Sequence, residues 1–287
     1  MQRSCWSFLL LISCAQHAAS GPPLGAWIRE SVDAADLAQW TPRHVHYVQT
    51  PSRFGDVRVP LDRPDMRHAH GFADLSDAEL TALAGQKGFA GVANARGDIV
   101  TWTHWIDFQP QSPGDADVGR VAPAGAGRID ESAPDSKDVE HWLSISDGDG
   151  RFLALEIRRG GRLARMLVVA GDHFVYAQNR EHDLPAADSL AALIAQTHAT
   201  REQIVQYLDC ELSYGLVHGG SSVAWQIVSS TLPWREGTAL ELPRELALEG
   251  GTLVPRSPPP AGETWTVVTN TLAPGDLAVL LRTDDGR

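Results

Sequence analysis

Apolar and polar residues alternate in short runs along much of this chain, the pattern of half-buried strands. In "RFGDVRVP", residues 53–60, Phe54, Asp56 and Arg58 share one face; Arg53, Gly55, Val57 and Val59 share the other. In "TWTHWIDFQP", residues 101–110, Trp102, His104, Ile106 and Phe108 alternate with Thr103, Trp105, Asp107 and Gln109. Strict alternation therefore puts His104 and Asp107 on opposite faces. Residues 139–178 read as a three-stranded meander turning at "DGDG" (147–150) and "RGGR" (159–162), both rich in residues that tolerate positive φ. Helical spacing is confined to two places. One is "SDAELTALAGQKG" at 76–88, with Ser76 and Glu79 set as a capping box and Gly88 as the stop. The other is 185–208, with Leu190, Leu193 and Ile194 in register. Residues 110–127 hold few large apolar groups and read as a surface loop. The expected fold is mainly β: an antiparallel barrel with few helices.

Near the C-terminus "WQIVSSTLP" (225–233) is echoed by "WTVVTNTLA" (265–273), which makes Trp225 and Trp265 core candidates. Between them "PRSPPPAGE" (255–263) cannot join a central strand, because proline donates no ladder hydrogen bond. Residues 246–287 are expected to form an extension, either a hairpin-like edge or a mobile tail.

A length of 287 residues with 43% hydrophobic and 21% charged content fits a soluble chain with a sizeable core. The net charge of −12 repels a phosphate backbone and an anionic membrane surface, so nucleic acid is not an expected partner. The one long apolar run, "CWSFLLLISCA" at 5–15, is too short to span a bilayer. With Arg3 before it and "AAS" at 18–20 after it, residues 1–20 have the outline of a secretory signal. "LISC" at 11–14 also matches a lipobox ending at Cys14. Export to the periplasm or the outside, with or without a lipid, is the expectation; the alternative is a cytoplasmic chain. Cys210 is then the lone cysteine of the mature chain, which excludes a disulfide framework and a cysteine zinc cage.

"GAW" at 25–27 is similar to the G-x-W that opens the first strand of lipocalin-like (calycin) barrels. "RFGDVRVP", "HWIDFQP" at 104–110, the acidic loop after it, "VEHW" at 139–142 and "VVAGDHFVYAQNR" at 168–180 follow in an order that resembles the Hri family. That family groups fungal and bacterial lipocalin-like proteins whose role is largely unassigned. The resemblance covers roughly residues 25–240. It implies two lipocalin-like halves packed together, here 21–135 and 136–245, and it supplies no catalytic set.

In a barrel one face of each strand looks inward, and a ligand pocket there needs apolar walls with a few polar groups. The candidates are Arg29, Phe54, Asp56, Arg58, Trp102, His104, Tyr176 and Glu211. A small, largely apolar ligand would lie against Phe54, Trp102 and Tyr176, with Arg58 or Arg29 meeting an acidic group on it. If Arg58 is buried it needs a carboxylate partner: Asp56, or Asp107, Asp172 or Glu211 from another strand. An alternative is a cofactor-independent enzyme, an isomerase or cyclase, using Asp56, His104 and Glu211 for acid–base chemistry. A third reading is a filled barrel that serves as an interaction module. "HVH" (44–46) and "HAH" (68–70) each place two imidazoles on one strand face, but no third ligand is signposted. "DGDG" lacks the later positions of a calcium loop. No metal and no cofactor is therefore expected, and no G-x-S-x-G elbow is present.

Overall fold

The computed structural model describes residues 21–34, 36, 43–111, 116–218, 224–256 and 263–281. Residues 1–20, the expected secretory signal, lie outside them. The first eight strands are β1 (Gly25–Asp33), β2 (Arg43–Gln49), β3 (Phe54–Pro60), β4 (Lys87–Arg96), β5 (Ile99–Asp107), β6 (Asp117–Gly125), β7 (Arg128–Ser132) and β8 (Val139–Ser146). Each pairs antiparallel with the next, and β1 pairs with β8, so the sheet closes into a barrel. The protein is thus mainly β with a closed antiparallel barrel, as the alternation predicts.

Two sequence expectations are corrected here. β6 occupies part of the stretch read as a loop. It needs few large side chains, because Trp102 of β5 already fills the space above Gly119. β8 belongs to the barrel and not to the following meander, because β1 would otherwise leave an unpaired edge. "DGDG" is accordingly a crossover from the barrel to the next sheet, not a hairpin turn.

That second sheet is formed by β9 (Phe152–Arg159), β10 (Arg162–Ala170), β11 (His173–Gln178), β12 (Glu211–His218), β13 (Ala224–Ser230) and β16 (Thr266–Asn270). Their order is β13-β12-β11-β10-β9-β16. Where the Hri resemblance implies a second barrel half, these strands form an open sheet. The two echoed segments carry its opposite edges, β13 and β16. A hairpin of β14 (Leu246–Glu249) and β15 (Thr252–Pro255), and helix α4 (Pro274–Leu280), complete the extension.

The sheet is buried on both faces, which is why "MLVVA" in β10 runs unbroken. Met166, Val168 and Ala170 face the barrel; Leu167 and Val169 face the C-terminal segment with Trp225 and Trp265. Against the barrel face stand Val57 and Val59 of β3, fully or almost fully buried, each worth about 1.5–3 kcal/mol. The two layers approach so closely that a side chain at Gly55 would sit 2.4 Å from Val175.

The helices flank this interface. α1 (Asp77–Leu83) carries the expected capping box of Ser76 and Glu79. It stops short of Gly88, because β4 has begun at Lys87. The stretch 185–208 holds two helices, α2 (Leu190–Thr197) and α3 (Arg201–Leu208). His198 in the left-handed region (φ 49°) breaks them apart. Cys210, the one cysteine among the described residues, is buried in the same interface, where burial pushes its thiol up to about 11.

Candidate functional site

The barrel lumen gathers most of the predicted residues. Phe54, Asp56 and Arg58 all point into it from β3, opposite Val45 and Tyr47 of β2. Trp27, Tyr47, Phe54, Val100, Trp102 and Trp142 form one apolar cluster inside it, with Ile129 packed against them. Charged residues interleave with these: Tyr47 pairs across strands with Asp56, Trp102 with Asp117 and Trp142 with Arg29, while Arg58 and Glu131 line the same space.

His104 joins them through a β-bulge that the alternation does not reveal. Ala90 of β4 faces Ile106, yet the next residue, Gly91, faces His104. Trp105 is the extra residue, so the inward side changes phase there. His104 and Asp107 therefore share the inner face, which corrects the expectation of opposite faces, and Nδ1 of His104 lies 2.8 Å from Asp107 Oδ2. Its Nε2 lies 2.9 Å from Asp117 Oδ2. The ring stacks on Phe89 with centroids 3.9 Å apart. Glycine at 91 is required because a Cβ would stand 1.9 Å from the Thr103 carbonyl oxygen. The displaced Trp105 points out instead, between the guanidiniums of Arg53 and Arg158, each 4.7 Å from its ring.

The charges inside are paired. Arg58 donates to both Asp56 oxygens, at 2.8 and 3.1 Å. The two residues lie nearly two strand rises apart, and the long arginine side chain folds back to span the gap. Arg29 donates to Glu140 Oε1 at 2.8 Å, and Arg58 lies 3.7 Å from the same oxygen. The partner of Arg58 is thus Asp56, with Glu140 second. Asp172 instead lies in an exposed turn beside Arg151.

Burial pushes the Asp56 carboxyl up against the pull of Arg58. Burial also lifts Glu131 to about 8, with neighbouring Glu140 adding to it. Burial opposes charge on His104, but the hydrogen bonds to Asp107 and Asp117 outweigh it and hold the imidazole at about 9. At neutral pH His104 is therefore a cation clasped by two carboxylates. It is a poor general base in that state.

Two predicted residues stand elsewhere. Tyr176 and Glu211 lie on the face of the second sheet turned away from the barrel. Tyr176 donates to Gln178, while Glu211 accepts from Ser213 and Arg235. Local alternation pairs residues by face but cannot tell which face meets the barrel. The acid–base set Asp56, His104 and Glu211 is consequently not assembled. Conversely, the lumen holds Trp27, Tyr47, Asp117, Glu131 and Trp142, with Glu140 beside Arg29 and Arg58, none of them singled out as ligand contacts. The alternation of "VEHW" was the available signal for Glu140 and Trp142.

The histidine pairs do not make a metal centre. His44 is exposed, and His46 is stacked on Tyr214 at 3.8 Å in the barrel–sheet interface, where burial takes it down to about 4. His68 and His70 lie in a loop and not on a strand. Among the described residues no group of three or more histidine, cysteine or acidic side chains is placed to hold a metal ion.

The lumen has about 350 Å3 of free space counted out to solvent, lined by Trp27, Tyr47, Arg58, Trp102, Glu131 and Trp142 among others. Only about 20 Å3 of it admits the centre of a water molecule. At rest, then, it has room for about one water. Among the described residues no helix is long and apolar enough to cross a membrane.

No protein-family model matches the chain, and no curated protein matches it. Among solved structures, an uncharacterized protein of Saccharomyces cerevisiae, YLR301w, is similar over 85% of this chain and 98% of its own, at 14% identity and a TM-score of 0.48.

Proposed function

We propose that the barrel binds a small, largely apolar molecule in its lumen. The observation that carries this is the mixed lining of the lumen, where aromatic rings and buried charges stand side by side. A filled structural core has no need of buried ions, which cost several kcal/mol each to desolvate. A site that seats one part of a ligand and orients another needs that mixture. A cavity of about 150 Å3 takes one benzene ring, far more than the resting lumen offers, so a ligand is small and enters only as the lumen opens. Entry requires side chains to shift, and the Glu131 carboxyl makes no hydrogen bond among the described residues that would hold it back. Membership of the Hri family, read from the order of its motifs, is part of the same proposal and names no ligand.

A second reading rests on the tightness of the lumen. With room for about one water, the barrel would serve as a filled module. Two measurements separate the readings. Native mass spectrometry of protein from its own host should show a co-purified small molecule, and toluene should be taken up with a change in tryptophan fluorescence. The Ala93→Trp variant, which fills the lumen beside Trp102, should abolish uptake while the protein stays folded. No co-purified mass and no toluene uptake by the parent protein would leave the filled module standing.

A further inference from the structure

The polar groups of the lumen that remain without partners describe the ligand further. Both arginines expected to meet an acid are already engaged, Arg58 by Asp56 and Arg29 by Glu140. Three groups are left over. Oε2 of Glu140 is buried and has no hydrogen-bond partner. Nε1 of Trp142 is likewise buried without one. Glu131, directly across from Glu140 in the β7–β8 register, makes no hydrogen bond among the described residues. Glu140 is 9% exposed and Trp142 is 3% exposed, so neither is rescued by bulk water. The two sit two residues apart on the inner face of β8; Trp142 and Glu131 line the free space, and Glu140 stands next to it, beside the lining residue Arg58.

Leaving such groups unmade costs about 1–3 kcal/mol each, more for a charged one. Native structures keep few of them, and each calls for an explanation. One is an acceptor and one is a donor. A second carboxylate in this place would meet Glu140 and Asp56 with like charge and find no free guanidinium. A hydrocarbon would leave both atoms unpaired. Resting on the lumen-binding reading above, we propose that the ligand's polar part is an uncharged group with a hydrogen-bond donor beside an acceptor, as in a carboxamide or lactam, donating to Glu140 Oε2 and accepting from the Trp142 indole N–H. Burial and neighbouring Glu140 push the Glu131 carboxyl up to about 8, so at neutral pH it is largely protonated and offers the ligand a further neutral hydrogen-bonding partner.

Benzamide, benzoate and toluene share one ring and differ in this group alone. Each is titrated into the full chain at pH 7 by calorimetry. Benzamide should bind at least about tenfold tighter than either of the others, the worth of one hydrogen bond to a charged group. Trp142→Phe removes the donor and keeps an aromatic wall. It should bring benzamide down towards toluene and leave toluene unchanged. If that variant does not fold, the Trp142 indole proton of the parent protein is read by NMR. It should move downfield with benzamide and not with toluene. Benzoate binding as tightly as benzamide overturns the inference, as does benzamide binding no better than toluene; both leave lumen binding intact. If none of the three binds, lumen binding itself fails and this inference goes with it.

Discussion

Replacing Arg58 by Met removes the guanidinium from Asp56 while keeping a long side chain on the inner face of β3. Asp56 is fully buried and accepts both of its bonds from Arg58. Taking one member out of a buried ion pair costs about 3–5 kcal/mol, because the other charge stays behind. The Arg58 side chain is 18% exposed, and Arg29 also acts on Asp56. The expected loss therefore lies at the lower end, about 3 kcal/mol. At about 2–4 °C per kcal/mol for larger domains, Tm falls by about 6–12 °C at pH 7. The sign with pH follows from Asp56. Burial already raises its folded pKa above the ordinary 3.8, and losing Arg58 raises it further. A raised acid penalises the fold above its ordinary pKa, and the penalty goes as pH falls through the raised folded value. The deficit of the variant should thus shrink on acidification from pH 7 towards pH 4. Asp56→Asn should cost less, about 1–2 kcal/mol, because Arg58 keeps Glu140 and some water. Thermal unfolding followed by near-ultraviolet circular dichroism at both pH values reads all of this. An Arg58→Met protein as stable as its parent at pH 7, or one whose deficit grows with acid, refutes the buried-pair argument.

His104 titrates near 9 against an ordinary 6.5, so its pairing supports the fold below about pH 6.5 and that support is lost as pH rises through 9. The change is about 3 kcal/mol, and His104→Gln should flatten the stability profile over that window in chemical denaturation. Gly91→Ala should destabilise by about 3 kcal/mol or more, since its Cβ cannot clear Thr103; a parent-like denaturation midpoint would show that the bulge is not needed. Trp105→Ala should cost about 3 kcal/mol through the lost stack with Arg53 and Arg158, yet leave the His104 imidazole pKa near 9 by NMR.

Period-two alternation made the barrel strands legible because one face of each is buried and most of the turns carry glycine or aspartate. It also set Phe54, Asp56 and Arg58 on the face away from Val57 and Val59. It failed where a local pattern meets a global constraint. β6 carries little apolar bulk, since its neighbour Trp102 fills the space, so composition alone read it as loop. Strand β8 looked like its successors, and only closure against β1 assigns it to the barrel. Tyr176 and Glu211 were read as lumen candidates, but the side of the sheet on which they fall is decided by how the barrel docks. The partnership of Arg58 with Asp56 was one of several open choices, because spacing along a strand does not reveal how a long side chain bends.

The bulge at Trp105 joins two properties that the sequence presents as separate. One inserted residue turns Asp107 inward beside His104 and sends an indole outward between Arg53 and Arg158. Arg53 and Arg158 both also reach Glu156 of the second sheet, at 3.2 and 2.9 Å. The clasp on His104 and the seam between barrel and sheet are thus set by the same backbone irregularity. Removing the bulge by forcing Gly91 apart from Thr103 must disturb both at once, whereas Trp105→Ala loosens the seam alone. A Gly91→Ala protein that kept the His104 titration near 9 while losing the seam would break this coupling. A joint loss is what the geometry requires, because regular pairing would return Asp107 to the outer face and leave His104 with Asp117 as its sole carboxylate among the described residues.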